Sequence, residues 1–303
     1  MDTAVVVSRL VQYAAVSAVG GSSLFFVYGY RPPSGVRWPA RLVSAGTVVG
    51  LAGTVVWLMT QAAALGDNPE DAWAPARVWS VARDTGFGHA ALVRMGLFAL
   101  ALMLVVLKPR APLWRALALA GLGAAASFGW TGHGSADDGV AGYAHLTSDV
   151  VHALAAAIWV GALFALLMLL AQARPRQASA GPQPASAALE AFSRIGPLVV
   201  GALVLSGLGN GWFMVGLSGV LTLPHTLYGQ LLILKLLLFA VMLGLAAANR
   251  YLVTPRLERA ASQGRSGFAV SIARLSLLTE TAIALGVLVL VSWLGTLSPT
   301  GEM

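Results

Sequence analysis

Residues His145 to Leu163 read HLTSDVVHALAAAIWVGAL, an apolar run opened by His145, Asp149 and His152, three groups that carry protons or bind metals. On a helix the spacing i, i+4, i+7 sets these side chains on one face. Ionisable groups at the mouth of an apolar helix are costly, so they occur where a pathway, a pair or a ligand set uses them.

The rest of the chain shares this character. Its 303 residues are 57% hydrophobic and 10% charged, which excludes an ordinary soluble domain and points to an all-α, polytopic membrane protein. Eight apolar runs approach the roughly 20 residues needed to cross a hydrocarbon core. They cover about Val5–Tyr28, Leu42–Leu65, Gly88–Leu107, Trp114–Trp130, Ser148–Ala171, Ile195–Val215, Tyr228–Leu252 and Ser271–Leu297, the fourth being the shortest. Turn formers separate them: Pro32, Pro33 and Gly35, then Pro109 and Pro112, then a Pro/Ala/Gln/Ser stretch from Pro175 to Ser186. That stretch predicts a flexible cytoplasmic linker over 174–190, between a first part, 1–173, and the remaining spans, 191–303.

The net charge of +7 is distributed by topology and is no nucleic-acid footprint. Loops one, three, five and seven hold Arg31, Arg37, Arg41, Lys108, Arg110, Arg115, Arg174, Arg176, Arg194, Arg250, Arg256, Arg259, Arg265 and Arg274, which is 14 of the 19 basic residues. These loops should therefore be cytoplasmic, with both termini outside. Asp2 precedes the first run and no basic segment does, so that run is expected to be a retained span and not a cleaved leader. All five histidines then fall on the outer side: His89 at the third span, His133 and His145 in the fourth loop, His152 one turn inside the fifth span, and His225 before the seventh. An extramembrane histidine such as His225 is commonly just solvated; His152, among apolar residues, is the better candidate for a role.

The third and seventh runs align over TGFGHAALVRMGLFA and TLYGQLLILKLLLFA. The alignment pairs Thr85 with Thr226, Gly88 with Gly229, His89 with Gln230, Arg94 with Lys235 and Phe98 with Phe239 at a constant spacing of 141 residues. A weaker match at a spacing of 140 sets Gln12 opposite His152 and Gly21 opposite Gly161. The chain reads as two tandem four-helix repeats of like orientation, the first over about 1–130, related by an axis along the membrane normal. His89 and His152 would then converge between the halves. Arg94 and Lys235 lie about two turns, roughly 10 Å, inside their spans, and Asp149 is their expected partner. Glu280 should form a second polar centre with Asn249 in the cytoplasmic half. The plain alternative for these charges is structural pairing between helices.

Cysteine is absent, so soft-metal chemistry falls to His and Met. Imidazole with thioether suits Cu(I), and imidazole with carboxylate suits Cu(II) or Zn. Met59, Met95 and Met214 are placed to face an internal path, although methionines at helical spacing commonly fill cores.

HLTSDVVHALAAAIWVGALF resembles the signature span of the CopD family of bacterial copper-resistance membrane proteins: a His, small residues, then Trp-x-Gly-x-Leu, here His152, Trp159, Gly161 and Leu163. Similar stretches are DTGFGHAALVR, WTGHGS with His133, FSRIGPLVVGALVLSGLGN, YGQLLILKLLLFAVMLGLAAANR, and the last span with Glu280. The resemblance covers all eight spans. It implies an eight-span protein of the bacterial cytoplasmic (inner) membrane that moves copper, lipid-embedded, commonly served by a small periplasmic copper carrier. That carrier is expected as a separate chain or to be absent, because the sequence opens directly with a span; a homo-oligomer is compatible with all of this.

The expected function is therefore copper ion transport and homeostasis, without enzymatic activity and without a GxxxxGK[ST] nucleotide loop. The expected ligands are His89, His133, His145, Asp149 and His152; Met59, Met95, Arg94, Lys235, Glu280 and Asn249 are expected along the path. Two rivals are a b-type haem redox protein, since imidazoles of facing helices ligate haem, and a non-transporting assembly factor.

Overall fold

A computed structural model describes residues 2–107, 111–131, 139–172, 184–256 and 266–298. The chain forms α1 (Thr3–Tyr28), α2 (Trp38–Leu65), a short α3 (Pro75–Asp84), α4 (Gly86–Val106), α5 (Ala111–Ala126), α6 (Gly139–Gln172), α7 (Pro184–Met214), α8 (Leu227–Arg256) and α9 (Ser266–Leu294). Among the described residues there is no strand. Seven of these helices, all but α3 and α5, are long and apolar enough to cross a membrane.

The count of crossings follows from a contact. Arg9 near the start of α1 donates from Nη1 to the Gly295 carbonyl just past α9, at 3.1 Å. The two ends of the bundle are therefore level, which takes an even number of crossings. The 16-residue α5, about 24 Å long at 1.5 Å per residue, is continued by a 3-10 turn, Ser127–Thr131, and with the seven longer helices brings the count to about eight. At the opposite end Arg250 donates to the Ser193 carbonyl and Arg274 to the Leu170 carbonyl, each at 2.7 Å, tying α8 to α7 and α9 to α6.

Two expected boundaries shift. The linker expected over 174–190 gives way to helix at Pro184, because Ala185, Ala188 and Leu189 recur at helical spacing and are buried; residues 174–183 lie outside the described set. The fifth span is longer than expected, so His145 stands on α6 itself and not in a loop.

α1 and α6 meet at the centre, where α1 widens into a π-helical turn, Ser17–Gly21, whose five residues are all buried. A Cβ on Gly21 would collide with the Ala157 carbonyl, and one on Gly161 with the Ser17 carbonyl. Ser22 Oγ donates to the Gly161 carbonyl at 2.8 Å. Gly20 and Gly121 make the same kind of backbone approach between α1 and α5. Helices buried in lipid gain no hydrophobic drive from meeting one another, so such approaches of small residues, here Ala157 and Gly161 four apart, supply the packing. Gly161 of the Trp-x-Gly-x-Leu run is thus a crossing point.

Replacing Gly161 by Val should lower stability by about 1–3 kcal/mol, the usual cost of overpacking. Gly196 of α7 faces open space, and Gly196→Ala should leave the melting temperature of the purified protein unchanged in the same detergent. Equal melting temperatures for wild type and Gly161→Val would contradict the crossing.

Candidate functional site

α6 carries the site. His145 is 2% exposed, lies flat on Phe213 of α7 with ring centroids 4.9 Å apart, and has its Nε2 3.9 Å from Asp149 Oδ2. One turn further, His152 Nδ1 lies 3.0 Å from the Ser206 hydroxyl of α7, while Ser148 Oγ donates to the Ser206 carbonyl at 2.8 Å. Ser206 Oγ donates its one proton to the Ala202 carbonyl of its own helix, so toward His152 it accepts from Nδ1–H, and the neutral ring then carries its lone pair on Nε2. Lys235 of α8 lies within electrostatic range of both Asp149 and His152. The structure thus brings His145, Asp149, His152 and Lys235 together between α6, α7 and α8.

The other expected ligands stand elsewhere. His89 is exposed, and its Nε2 meets the Arg83 carbonyl at 2.6 Å, bracing the corner between α3 and α4. Beside it Arg83 hydrogen-bonds Asp84 at 2.8 Å and holds that carboxyl below the usual carboxylate range. His133 lies outside the described residues. Among the described residues, no three of His, Asp and Glu form a ligand set by geometry. His145 and His152 share one face of one helix and His89 turns to Arg83, so these three do not face one another across a gap as a bis-imidazole haem pair would.

The aligned pairs reappear as like geometry. Thr85 accepts from the Gly88 amide and Thr226 from the Gly229 amide, both at 3.0 Å. Gln230 Nε2 donates to the Pro224 carbonyl six residues back, as His89 meets Arg83 six residues back. His89 is in this light a helix-corner residue.

Arg94 departs from its expected pairing with Asp149. It is 1% exposed, donates from Nη1 to Gln12 Oε1 at 2.6 Å and from Nε to Ser127 Oγ at 2.9 Å, and rests 3.7 Å from the centroid of Phe128. Thr54 Oγ1 closes the set on Gln12 at 3.2 Å. No carboxylate partners this guanidinium among the described residues. A cleft of about 280 Å³ opens nearby at the Arg9 end of the first half, between Arg9, Gln61 and Thr131, away from His152. Of the methionines, Met95 packs in a side cluster with Trp57 and Val81, Met59 is half-buried, and Met214 takes the Tyr228 hydroxyl at 3.8 Å.

At the far end of the same bundle Asn249 Nδ2 donates to Glu280 Oε2 at 2.9 Å, with Glu280 fully buried and the Trp159 indole beside it. Trp159 follows His152 by seven residues, two turns on the same face of α6. On α8, Lys235, Met242 and Asn249 recur at intervals of seven, and Met242 is buried at 4% exposure. Met242 bears no mark of its own in the sequence. Its signal was that heptad spacing, visible only once Lys235 and Asn249 are known to face one interior.

Comparison with known proteins places this geometry in a family. Residues 1–143 match the N-terminal domain described as copper resistance protein D-like, and residues 186–294 match copper resistance protein D. The chain is 36% identical to copper resistance protein D of Pseudomonas syringae pv. tomato, over 97% of this chain and 96% of that protein. The chain belongs to the copper resistance protein D family. It is also 30% identical to the inner membrane protein YebZ of Escherichia coli K12, over 86% of this chain and 84% of the relative. To the copper transport protein CutJ of Bacillus subtilis 168 it is 28% identical, over 83% of this chain and 47% of that protein. No solved structure matches. In this copper resistance protein D-like chain the second matched segment supplies α7, α8 and α9, and α6 lies mainly between the two matches.

The setting of Arg94 makes it structural to the first half. Arg94→Met should leave Gln12 and Ser127 short of donors and cost about 1–3 kcal/mol for each buried group stranded, read as a lower melting temperature. Metal binding per folded molecule should stay at the wild-type value; loss of binding in a variant that melts normally would contradict this assignment.

Proposed function

We propose that this chain binds copper at the His145–Asp149–His152 face of α6 and conducts it through the interior of the α6–α9 bundle across the bacterial cytoplasmic membrane, as a transport protein and not an enzyme. Copper is the cargo. The observation that carries the reading is His152: an imidazole within a span, turned into the bundle interior, held through Nδ1 by Ser206 with Nε2 left for a metal. An imidazole whose other nitrogen is fixed by hydrogen bonding is the usual form of a His ligand. His145 and Asp149, two turns and one turn nearer the mouth, add an imidazole and a carboxylate suited to capturing Cu(II), and buried Met242 further in suits Cu(I).

Family membership supports copper as the ion, through relatives named for copper resistance and copper transport. Localisation in the inner membrane is supported by the relative named as an inner membrane protein and by seven apolar helices of spanning length. With basic loops held in the cytoplasm, the level ends of α1 and α9 lie on the periplasmic side, and the mouth of α6 opens there. A small periplasmic copper-binding protein is the partner this mouth would meet. His133 belongs to the same proposed mouth by its place in the chain between α5 and α6.

Purified protein in lipid vesicles provides the test. Copper accumulation by wild type should fall about tenfold or more in His152→Ala, and by a smaller factor in Ser206→Ala, which removes only the supporting bond. His89→Ala should transport as wild type does. Undiminished accumulation by a folded His152→Ala protein would overturn the proposal.

A further inference from the structure

We propose that Glu280, paired with Asn249, is a proton-carrying site in the half of the bundle away from His152, distinct from the imidazole site of α6. The carboxyl lies about 21 Å along α9 from Leu294, at 1.5 Å per residue, and Leu294 adjoins the Gly295 carbonyl that meets Arg9. Its exposure is 0% and that of Asn249 is 8%. One bond joins the two: Asn249 Nδ2 to Glu280 Oε2. The remaining oxygens, Glu280 Oε1 and Asn249 Oδ1, are both buried acceptors with no hydrogen-bond partner among the described residues.

Two stranded acceptors on one hydrogen-bonded pair call for a bound positive centre. The charged and titratable neighbours do not supply it. On α8, Arg250 follows Asn249 and gives Nη1 to the Ser193 carbonyl of α7; on α9, Arg274 gives Nη2 to the Leu170 carbonyl of α6. On α1, Arg9 is engaged at the far end with Gly295 and Tyr13. From α6 the Trp159 indole N–H leans on the Glu280 carboxyl without completing a well-formed hydrogen bond, and it carries no charge. The hydroxyls of Thr254 and Thr281 donate within their own helices. No ion pair to Glu280 occurs among the described residues, and an uncompensated carboxylate in such a place is unfavourable.

A proton fits the vacancy by shape. A carboxylic acid and a carboxamide complement each other through two arms, N–H to one acid oxygen and acid O–H to the amide oxygen. The first arm is in place, and the oxygens the second arm uses are the two that lack partners. The step balances simply: the carboxylate takes one proton from water at one face and returns it at the other when it ionises. Both free atoms are hard oxygens, which argues against Cu(I) as the occupant. α8 breaks into a π-helical turn at Asn249–Val253, a feature frequent at functional positions, so the amide partner stands on backbone that departs from regular helix. If copper moves as proposed above, this site supplies a coupling proton; that role rests on the copper reading, whereas the site itself does not.

The test is infrared difference spectroscopy on the purified, copper-free full chain across a pH titration. Wild type should show a carboxylic-acid C=O band at neutral pH, absent from Glu280→Gln and displaced in Asn249→Ser, which removes one arm but keeps the acid. Absence of that band from wild type, or its persistence in Glu280→Gln, overturns the proposal. Its loss on adding sodium at constant pH also overturns it and assigns the vacancy to sodium. Because Asn249→Ser and wild type are read independently, a Glu280→Gln protein that fails to fold leaves the proposal falsifiable. No copper is present, so failure here is separate from failure of the transport assay.

Discussion

The contact between the π turn of α1 and the Ala157–Gly161 edge of α6 is the constraint on which the rest of the bundle depends. It is a contact of backbone with backbone, fixed by the Ser22 hydroxyl on the Gly161 carbonyl, and it leaves no room for a side chain. In an apolar solvent, where burying one more leucine gains little, such a contact sets how far α6 can rotate or slide. Since His145, Asp149, His152 and Trp159 all ride on α6 at spacings of three, four or seven, fixing that helix fixes the direction of the whole polar face. The face points away from α1, toward α7, α8 and α9.

The two halves treat their polar groups differently. In the first, Arg94 is met by Gln12, Ser127 and the face of Phe128, with Thr54 behind Gln12, so a permanent charge is held by dipoles and a ring. In the second, Gln12 has His152 as its aligned counterpart and Arg94 has Lys235, so an imidazole stands where the first half has an amide. A second-helix hydroxyl supports the first-helix residue in both cases, Thr54 on Gln12 and Ser206 on His152. The two sets differ in kind: the first holds a guanidinium, which cannot bind a cation, and the second offers an imidazole, which can. On this account the first half is scaffold and the second half is the path.

Much of this was legible in the chain. Apolar runs mark the spans because a bilayer demands length and hydropathy and little else, and the one-face placement of His145, Asp149 and His152 follows from helix geometry alone. The spacing of 141 residues foretold the like caps at Thr85 and Thr226. Partners were harder. Charge alone pairs Arg94 with Asp149, whereas the structure gives it to the uncharged Gln12, a choice made by the crossing of α1, α2, α4 and α5, which no local pattern encodes. His89 was grouped with the other histidines because it shares their side of the bundle; its role at a helix corner depends on a carbonyl six residues away. Met242 stayed hidden because a methionine in an apolar helix looks like any other core residue until the facing helices are known.

The central claim is that His152 is a copper ligand in the path through the second bundle. X-ray absorption at the copper edge of the copper-loaded, purified protein addresses it directly. The account predicts the outer-shell scattering of a coordinated imidazole in wild type and in His89→Ala, and its reduction or loss in His152→Ala at equal copper loading. Unchanged imidazole scattering in His152→Ala, or its loss in His89→Ala instead, would contradict it.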